Sequence, residues 1–128
     1  MGNKEKGANA ERELLHMLWQ KGFACARVAG SGKIPEPSCD LLAGKFKKKY
    51  AIECKTCKDK KRYIEGKQIS DFLVLSEIFG LTPVIAVRFN REGWFFLSPG
   101  DLEKTPSGLA ISLENAKKLG KTFEEFAK

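Results

Sequence analysis

Asp40, Glu53 and Lys55 are the residues of this chain whose types and spacing could do chemistry. Tyr50-Ala51-Ile52-Glu53-Cys54-Lys55 reads as a strand. Glu53 and Lys55 therefore leave one face of it, while Ile52 and Cys54 leave the other. Asp40-Leu41-Leu42-Ala43 reads as an earlier strand, joined to the first by Gly44 to Lys49. A hairpin centred on Phe46-Lys47 would set Asp40 opposite Glu53 on the same face. A one-residue slip would turn Asp40 away, so the site depends on register. Two adjacent carboxylates repel unless a cation sits between them. Mg²⁺ suits an all-oxygen site of carboxylates, waters and a substrate phosphate. A neighbouring lysine can orient a water or stabilise charge developing on phosphorus. The chemistry would be metal-dependent hydrolysis of a phosphodiester. The same residues could also form a salt-bridge ladder on an exposed strand face, and acid-x-Lys spacing alone does not separate the two.

Three further features bear on this reading. Glu11 falls on the line of Ala8, Leu15 and Leu18, which turns it toward the sheet, although a glutamate near a helix N-terminus is also favoured by the macrodipole. Arg12, one step round, could reach a phosphate or simply face solvent. Gly30-Ser31-Gly32-Lys33 could bring backbone N–H groups and the Ser31 hydroxyl to a phosphate, but it lacks the Walker spacing and also reads as an ordinary loop. Basic residues cluster at Lys45, Lys47, Lys48 and Lys49, and again at Lys58, Lys60, Lys61 and Arg62. Both clusters are expected to flank the carboxylates as a phosphate-backbone footprint. Tyr63 follows the second cluster and is given no chemistry.

The elements that must position these groups follow from periodicity. Residues 7–21 predict an amphipathic helix with Leu14, Leu15, Leu18 and Trp19 apolar, stopped by Gly22. Residues 23–29 predict a short strand, and 30–37 a loop punctuated by glycine and proline. Residues 58–67 read as a charged connection. Gln68 to Phe79 predicts a second amphipathic helix closed by Gly80. Pro83 to Val87 is an apolar run expected to form a strand buried on both faces. Asn90 to Gly93 turns the chain into a strand at Trp94 to Leu97, and Ser112 caps a short helix ending at Leu119. The order α, β, β, β, α, β, β predicts a mixed sheet flanked by helices.

Composition sets the outer bounds. The chain has 128 residues, a net charge of +7, 42% apolar and 30% charged residues. Those values fit a single domain over residues 1–128, neither disordered nor membrane-spanning, with nucleic acid as the first partner to consider. No hydrophobic stretch follows Met1 to Lys6, so a cytoplasmic protein without a secretory leader is expected. Cys25, Cys39, Cys54 and Cys57 are expected as reduced thiols. The Cys54-x-x-Cys57 pair lacks the second pair or the histidines of a structural zinc site.

Taken as an ordered set, Lys6-Gly7, Glu11-Arg12-Glu13-Leu14, Gly22-Phe23, Arg27 to Gly32, Asp40 to Gly44 and Ala51 to Lys55 resemble the archaeal-type Holliday junction resolvases of the PD-(D/E)xK nuclease superfamily. The likeness continues more loosely through Phe79-Gly80 and Pro83 to Phe89 to Gly93-Trp94, and covers most of residues 6–97. It implies a restriction-endonuclease-like α/β fold and a homodimer. It implies Mg²⁺, with Mn²⁺ as a substitute, bound by Asp40, Glu53 and the Cys54 backbone carbonyl, with Glu11 assisting directly or through water. Lys55 would be the catalytic lysine and Ser31 would join the active site. Arg12 and Arg27 would contact DNA, joined by Lys33, Lys48, Lys49, Lys58, Lys60, Lys61 and Arg62, which are candidates from the loop and the basic clusters themselves. The implied activity is paired, symmetric nicking of a four-way DNA junction by a nucleoid-associated enzyme, with recruitment by a sliding clamp or recombinase left open. Cys39 stands before Asp40 where the superfamily name expects proline. A restriction or repair endonuclease without junction selectivity, a catalytically inert DNA-binding module and a zinc or thiol-redox protein are the alternatives.

Overall fold

A computed structural model describes residues 3–128 of the chain. The leader-free reading of Met1 and Gly2 lies outside the described residues. Helix α1 spans Asn3–Gln20, starting earlier than its apolar stripe predicts. It ends where Gly22 adopts a left-handed φ of 89° and the Phe23 N–H bonds back to the Leu18 carbonyl. Strand β1 is Ala24–Arg27, β2 is Leu41–Lys45 and β3 is Lys48–Cys57. Then come β4 at Lys61–Ile64, helix α2 at Gly66–Phe79, β5 at Thr82–Phe89 and β6 at Gly93–Leu97. The C-terminal part adds β7 at Glu103–Thr105, β8 at Gly108–Ser112, α3 at Leu113–Leu119, β9 at Lys121–Thr122 and α4 at Phe123–Phe126. None of the described helices is long and apolar enough to cross a membrane.

The main sheet has the order β1-β2-β3-β5-β6-β9. Its central pair, β3 and β5, is parallel, and the other pairs are antiparallel. A parallel pair needs a crossover, which β4 and α2 supply. The expected mixed sheet flanked by helices is what forms. The hairpin of β2 and β3 has the expected register: Leu41 faces Ile52 and Lys45 faces Lys48, leaving Phe46-Lys47 as the turn. Phe46 takes a φ of 55° there, with its ring 94% exposed, so the turn is set by strand twist and not by the aromatic side chain.

Both faces of the sheet are covered, which is why Val84 to Val87 of β5 are all apolar and buried. Val84 and Ala86 join Leu14, Leu18, Phe23, Leu41 and Ile52 in a core under α1. Ile85, Val87 and Phe89 join Ala51, Ile69, Phe72 and Phe95 in a core under α2. Trp19 departs from the predicted stripe: it is half exposed and its indole N–H donates to the Cys25 carbonyl at 2.9 Å. Ser112 caps α3 as predicted, accepting from the Asn115 N–H at 3.1 Å.

The charged connection expected at 58–67 is instead strand-containing. There β4 pairs with β8, which pairs with β7, in a second sheet of three strands. Only Ile64 of β4 is buried, so the segment carries almost no apolar alternation to betray it. Cys54 packs against the core under α1 and Cys57 within the core under α2, so the Cys-x-x-Cys pair is split across the sheet. All four cysteines are free thiols.

Candidate active site

Strand β2 stops one residue short of Asp40, and that ending builds the site. Asp40 still holds the ladder through its backbone, its N–H donating to the Ile52 carbonyl at 3.1 Å. Beyond it, β3 runs on alone along that edge. There the Asp40 Oδ2 takes the place of the missing strand and accepts the Cys54 N–H at 2.8 Å. In an extended strand a residue's N–H and C=O point to the same side. The Cys54 carbonyl is therefore turned toward the side of Asp40, where no β2 residue pairs with it.

Glu53 and Lys55 leave the α2 face of β3, as their spacing predicts. Both are buried, at 6% and 9% exposure. The Lys55 Nζ lies 3.6 Å from Glu53 Oε2. Ser31, from the short turn Ser31–Lys33, donates its hydroxyl to Asp40 Oδ1 at 3.1 Å. On the other side, Glu11 accepts the Arg27 Nε–H at 2.8 Å. These groups line an open cleft of about 1050 Å³. The loop carrying Gly30 to Ser38 forms one wall, and β4 with the first turns of α2 forms the other.

The electrostatics of the cleft favour a cation. Burial, and next the charge of Asp40, push the Glu53 carboxyl up to about 8, with Lys55 pulling the other way. Burial and Asp40 also raise Glu11, against the opposing pull of Arg27. Like charges forced together in this way are relieved by an added positive charge. Among the described residues, no three His, Cys, Asp or Glu side chains converge as a ready-made ligand set. The donors present are two carboxylates and a backbone carbonyl, all oxygen. That set suits a hard cation that keeps several waters and binds substrate phosphate. Glu11 stands beside the pair, held by Arg27, and not within it.

Gln68 is the site residue that sequence reasoning missed. Its side-chain N–H donates to Glu53 Oε2 at 3.0 Å from the first turn of α2. No local spacing announces it, because it depends on how α2 is rotated over the sheet. The basic residues divide. Arg27, Lys33 and Arg62 line the cleft, with Lys67 beside them. Arg12 lies on the exposed side of α1, its guanidinium near Asn9. Lys61 pairs with Glu103 at 3.3 Å, and Lys58 borders a separate cleft of about 200 Å³ with Lys6 and Arg88. Lys60 sits in the turn before β4, its carbonyl accepting from the Leu113 N–H.

The expectation that the 45–49 cluster flanks the carboxylates is corrected. Lys48 and Lys49 begin β3, about 14–17 Å along the strand from Glu53 at roughly 3.4 Å per residue. The Lys48 Nζ donates to the Lys128 carbonyl instead. Lys33→Ala should therefore lower the slope of log K against log salt for DNA by about one, and Lys48→Ala should leave it unchanged. Anisotropy titrations at several salt concentrations read both slopes.

A mixed sheet clasped by helices, with an acid at one strand's edge and Glu-x-Lys on the next, defines a nuclease of the restriction-endonuclease-like class. Within that class, the chain belongs to the archaeal Holliday junction resolvase (Hjc) family, whose sequence profile matches residues 2–128. The match takes in the C-terminal part that the motifs alone did not reach. The chain is 36% identical over 129 residues to the crossover junction endodeoxyribonuclease Hjc of Archaeoglobus fulgidus, covering 95% of each. It is 40% identical to the enzyme of the same name from Methanocaldococcus jannaschii over 73% of this chain and 66% of that one. The crystal structure of Archaeoglobus fulgidus Hjc, a Holliday junction resolvase, superposes with a TM-score of 0.86 at 33% identity, over 93% of this chain and 96% of that one.

Proposed function

We propose that this protein is a divalent-cation-dependent endonuclease that binds four-way DNA junctions as a homodimer and resolves them by paired, symmetric nicks. The observation that carries the chemistry is the part-buried Asp40 set against buried Glu53 and Lys55 on the floor of an open cleft. Asp40 and Glu53, with the Cys54 carbonyl, would hold Mg²⁺ or Mn²⁺, which supplies Lewis acidity and neutralises charge on the phosphate.

The chain's own residues do the positioning. Ser31 and the Cys54 N–H fix the two oxygens of Asp40, and the Gln68 amide fixes Glu53. Lys55 orients the attacking water in line with the scissile bond and offsets the charge that develops on the phosphoryl oxygens. Arg27 holds Glu11 at the cleft's edge, and shares with Lys33 and Arg62 the binding of flanking phosphates.

The test is a nicking assay on immobile four-way junctions beside linear duplex, with and without Mg²⁺. Paired nicks confined to junction and Mg²⁺ support the proposal. Equal cutting of duplex leaves a nuclease without junction selectivity, and tight binding without cutting under any metal leaves a DNA-binding module.

The homodimer rests on α2. Val74, Ile78 and Phe79 are 46%, 83% and 62% exposed, and Leu73 stands partly out beside them. Ile69 and Phe72 fill the inward face, while Val74 and Ile78, four residues apart, point outward together, with Phe79 at the end of the helix. A patch of this kind on a helix suits a self-complementary contact between two copies. Ile78→Glu with Phe79→Glu should give a monomer by sedimentation equilibrium, and nicks by that monomer should lose their pairing. A dimer that survives both changes would place the contact elsewhere.

A further inference from the structure

Tyr63 has no part in the chemistry above, yet it occupies the wall of the active-site cleft. Pairing of β4 with β8 sets it opposite Ala110, so its backbone is fixed. Strand alternation puts Lys61 and Tyr63 on one face and buries Ile64 on the other. Its ring is 66% exposed. The Lys61 ammonium lies 5.6 Å from the ring centroid and is itself tied to Glu103. The ring is thus steadied by a cation and left open to solvent at a residue of the cleft wall. Across the cleft stands Ile34, half exposed, on the loop that carries Ser31.

Neither side chain suits a phosphate. A phosphodiester is met by cations and N–H donors, which this cleft supplies from Arg27, Lys33 and Arg62. An exposed aromatic ring suits the π-face of a base. In a continuous duplex each base face is covered by its neighbours, and uncovering one costs unstacking energy. At the branch point of a four-way junction the stack is already interrupted. An enzyme that reads this interruption beside the scissile phosphate gains selectivity without reading sequence.

We propose that Tyr63 stacks on a base face exposed at the branch point and so acts as a specificity-determining residue that favours junction over duplex. This rests on the reading of the site as a junction nuclease. The hydroxyl has no role in it, so Tyr63→Phe keeps the selectivity. Tyr63→Ala lowers it, by roughly 10-fold for the loss of one base–aromatic stack. The loss falls on junction affinity. Affinity for linear duplex, and the nicking rate at saturating junction, stay near the wild-type values.

The experiment measures binding and single-turnover nicking of junction and duplex by wild type, Tyr63→Phe, Tyr63→Ala and Tyr63→Gln, with 2-aminopurine at the branch point as a direct reporter of stacking. The expected result is an emission change on binding with wild type and Tyr63→Phe, absent with Ala and Gln, together with the drop in junction preference. Unchanged preference in both Ala and Gln overturns the proposal, as does the same emission change in all four proteins. Loss in Tyr63→Phe equal to that in Ala also overturns it, because the hydroxyl would then carry the effect. If wild type itself cuts duplex as readily as junction, the junction reading fails, whereas wild-type selectivity retained without Tyr63 sinks the stacking role alone.

Discussion

Lys55→Ala is expected to slow junction nicking in saturating Mg²⁺ by at least about 10³-fold, or roughly 4 kcal/mol of transition-state stabilisation. The size follows from where the ammonium sits. It is buried, 3.6 Å from Glu53 Oε2. In such a setting a fixed cation is worth far more than on a surface. Its removal leaves the carboxylates' charge facing a dianionic transition state. Lys55→Arg should not restore the rate, because a planar guanidinium cannot occupy the position of a compact ammonium in a buried slot. Junction affinity should stay within a few-fold of wild type in both variants, since Arg27, Lys33 and Arg62 are untouched. Gel-shift titration and single-turnover kinetics on one labelled junction separate the two effects. A parallel loss of binding in a folded Lys55→Ala protein would show that the lysine holds DNA, and the division between chemistry and grip would be wrong.

What positions Lys55 was legible in the sequence because strand geometry is a rule of two. Once Tyr50 to Lys55 is read as a strand, Glu53 and Lys55 must share a face, and the structure puts both toward α2. The partner acid was legible through the turn. Lys45 faces Lys48 across Phe46-Lys47, and that register carries Asp40 to Glu53. Ser31 was placed at the site only by resemblance, since a Gly-Ser-Gly loop has no period. Its hydroxyl reaches Asp40 because the loop folds back from the end of β1.

The parts that were not legible share a cause, which is pairing between segments distant in sequence. Lys61 to Ile64 reads as a charged linker until β8 comes alongside, and β8 lies about fifty residues later. Only then does Tyr63 become a fixed wall of the cleft. Gln68 reaches Glu53 only because α2 lies over β3 in one rotation, which its own apolar pattern does not determine. Lys48 and Lys49 are a related case. Their sequence distance from Glu53 looks short, yet an extended strand carries them to the far end of the sheet, where Lys48 meets Lys128. A helix would have kept them within reach; at 1.5 Å per residue the same separation is less than half as long.

Glu53→Gln is expected to abolish cutting and at the same time to stabilise the metal-free protein at neutral and alkaline pH, by on the order of 1–3 kcal/mol. Burial and Asp40 push the Glu53 carboxyl from its ordinary 4.5 up to about 8. Below 4.5 the group is protonated in both the native and the unfolded chain and has no effect on the balance. Between 4.5 and 8 the unfolded chain gives up the proton while the native protein retains it, so stability falls as pH rises. Above 8 the native carboxylate is ionised too, and the deficit no longer grows. Gln removes the titration while keeping the shape and the acceptor oxygen for Gln68. Urea denaturation in EDTA should give equal stabilities near pH 4 and an advantage for the variant that widens to about pH 8. Adding Mg²⁺ should narrow the advantage by stabilising only the wild type, since a cation that binds the ionised pair favours the native state by mass action. A variant less stable than wild type at pH 8 in EDTA would mean that Glu53 is held by its hydrogen bonds more strongly than it is repelled by Asp40. The carboxylate pair would then be a structural link and not a strained site awaiting a cation.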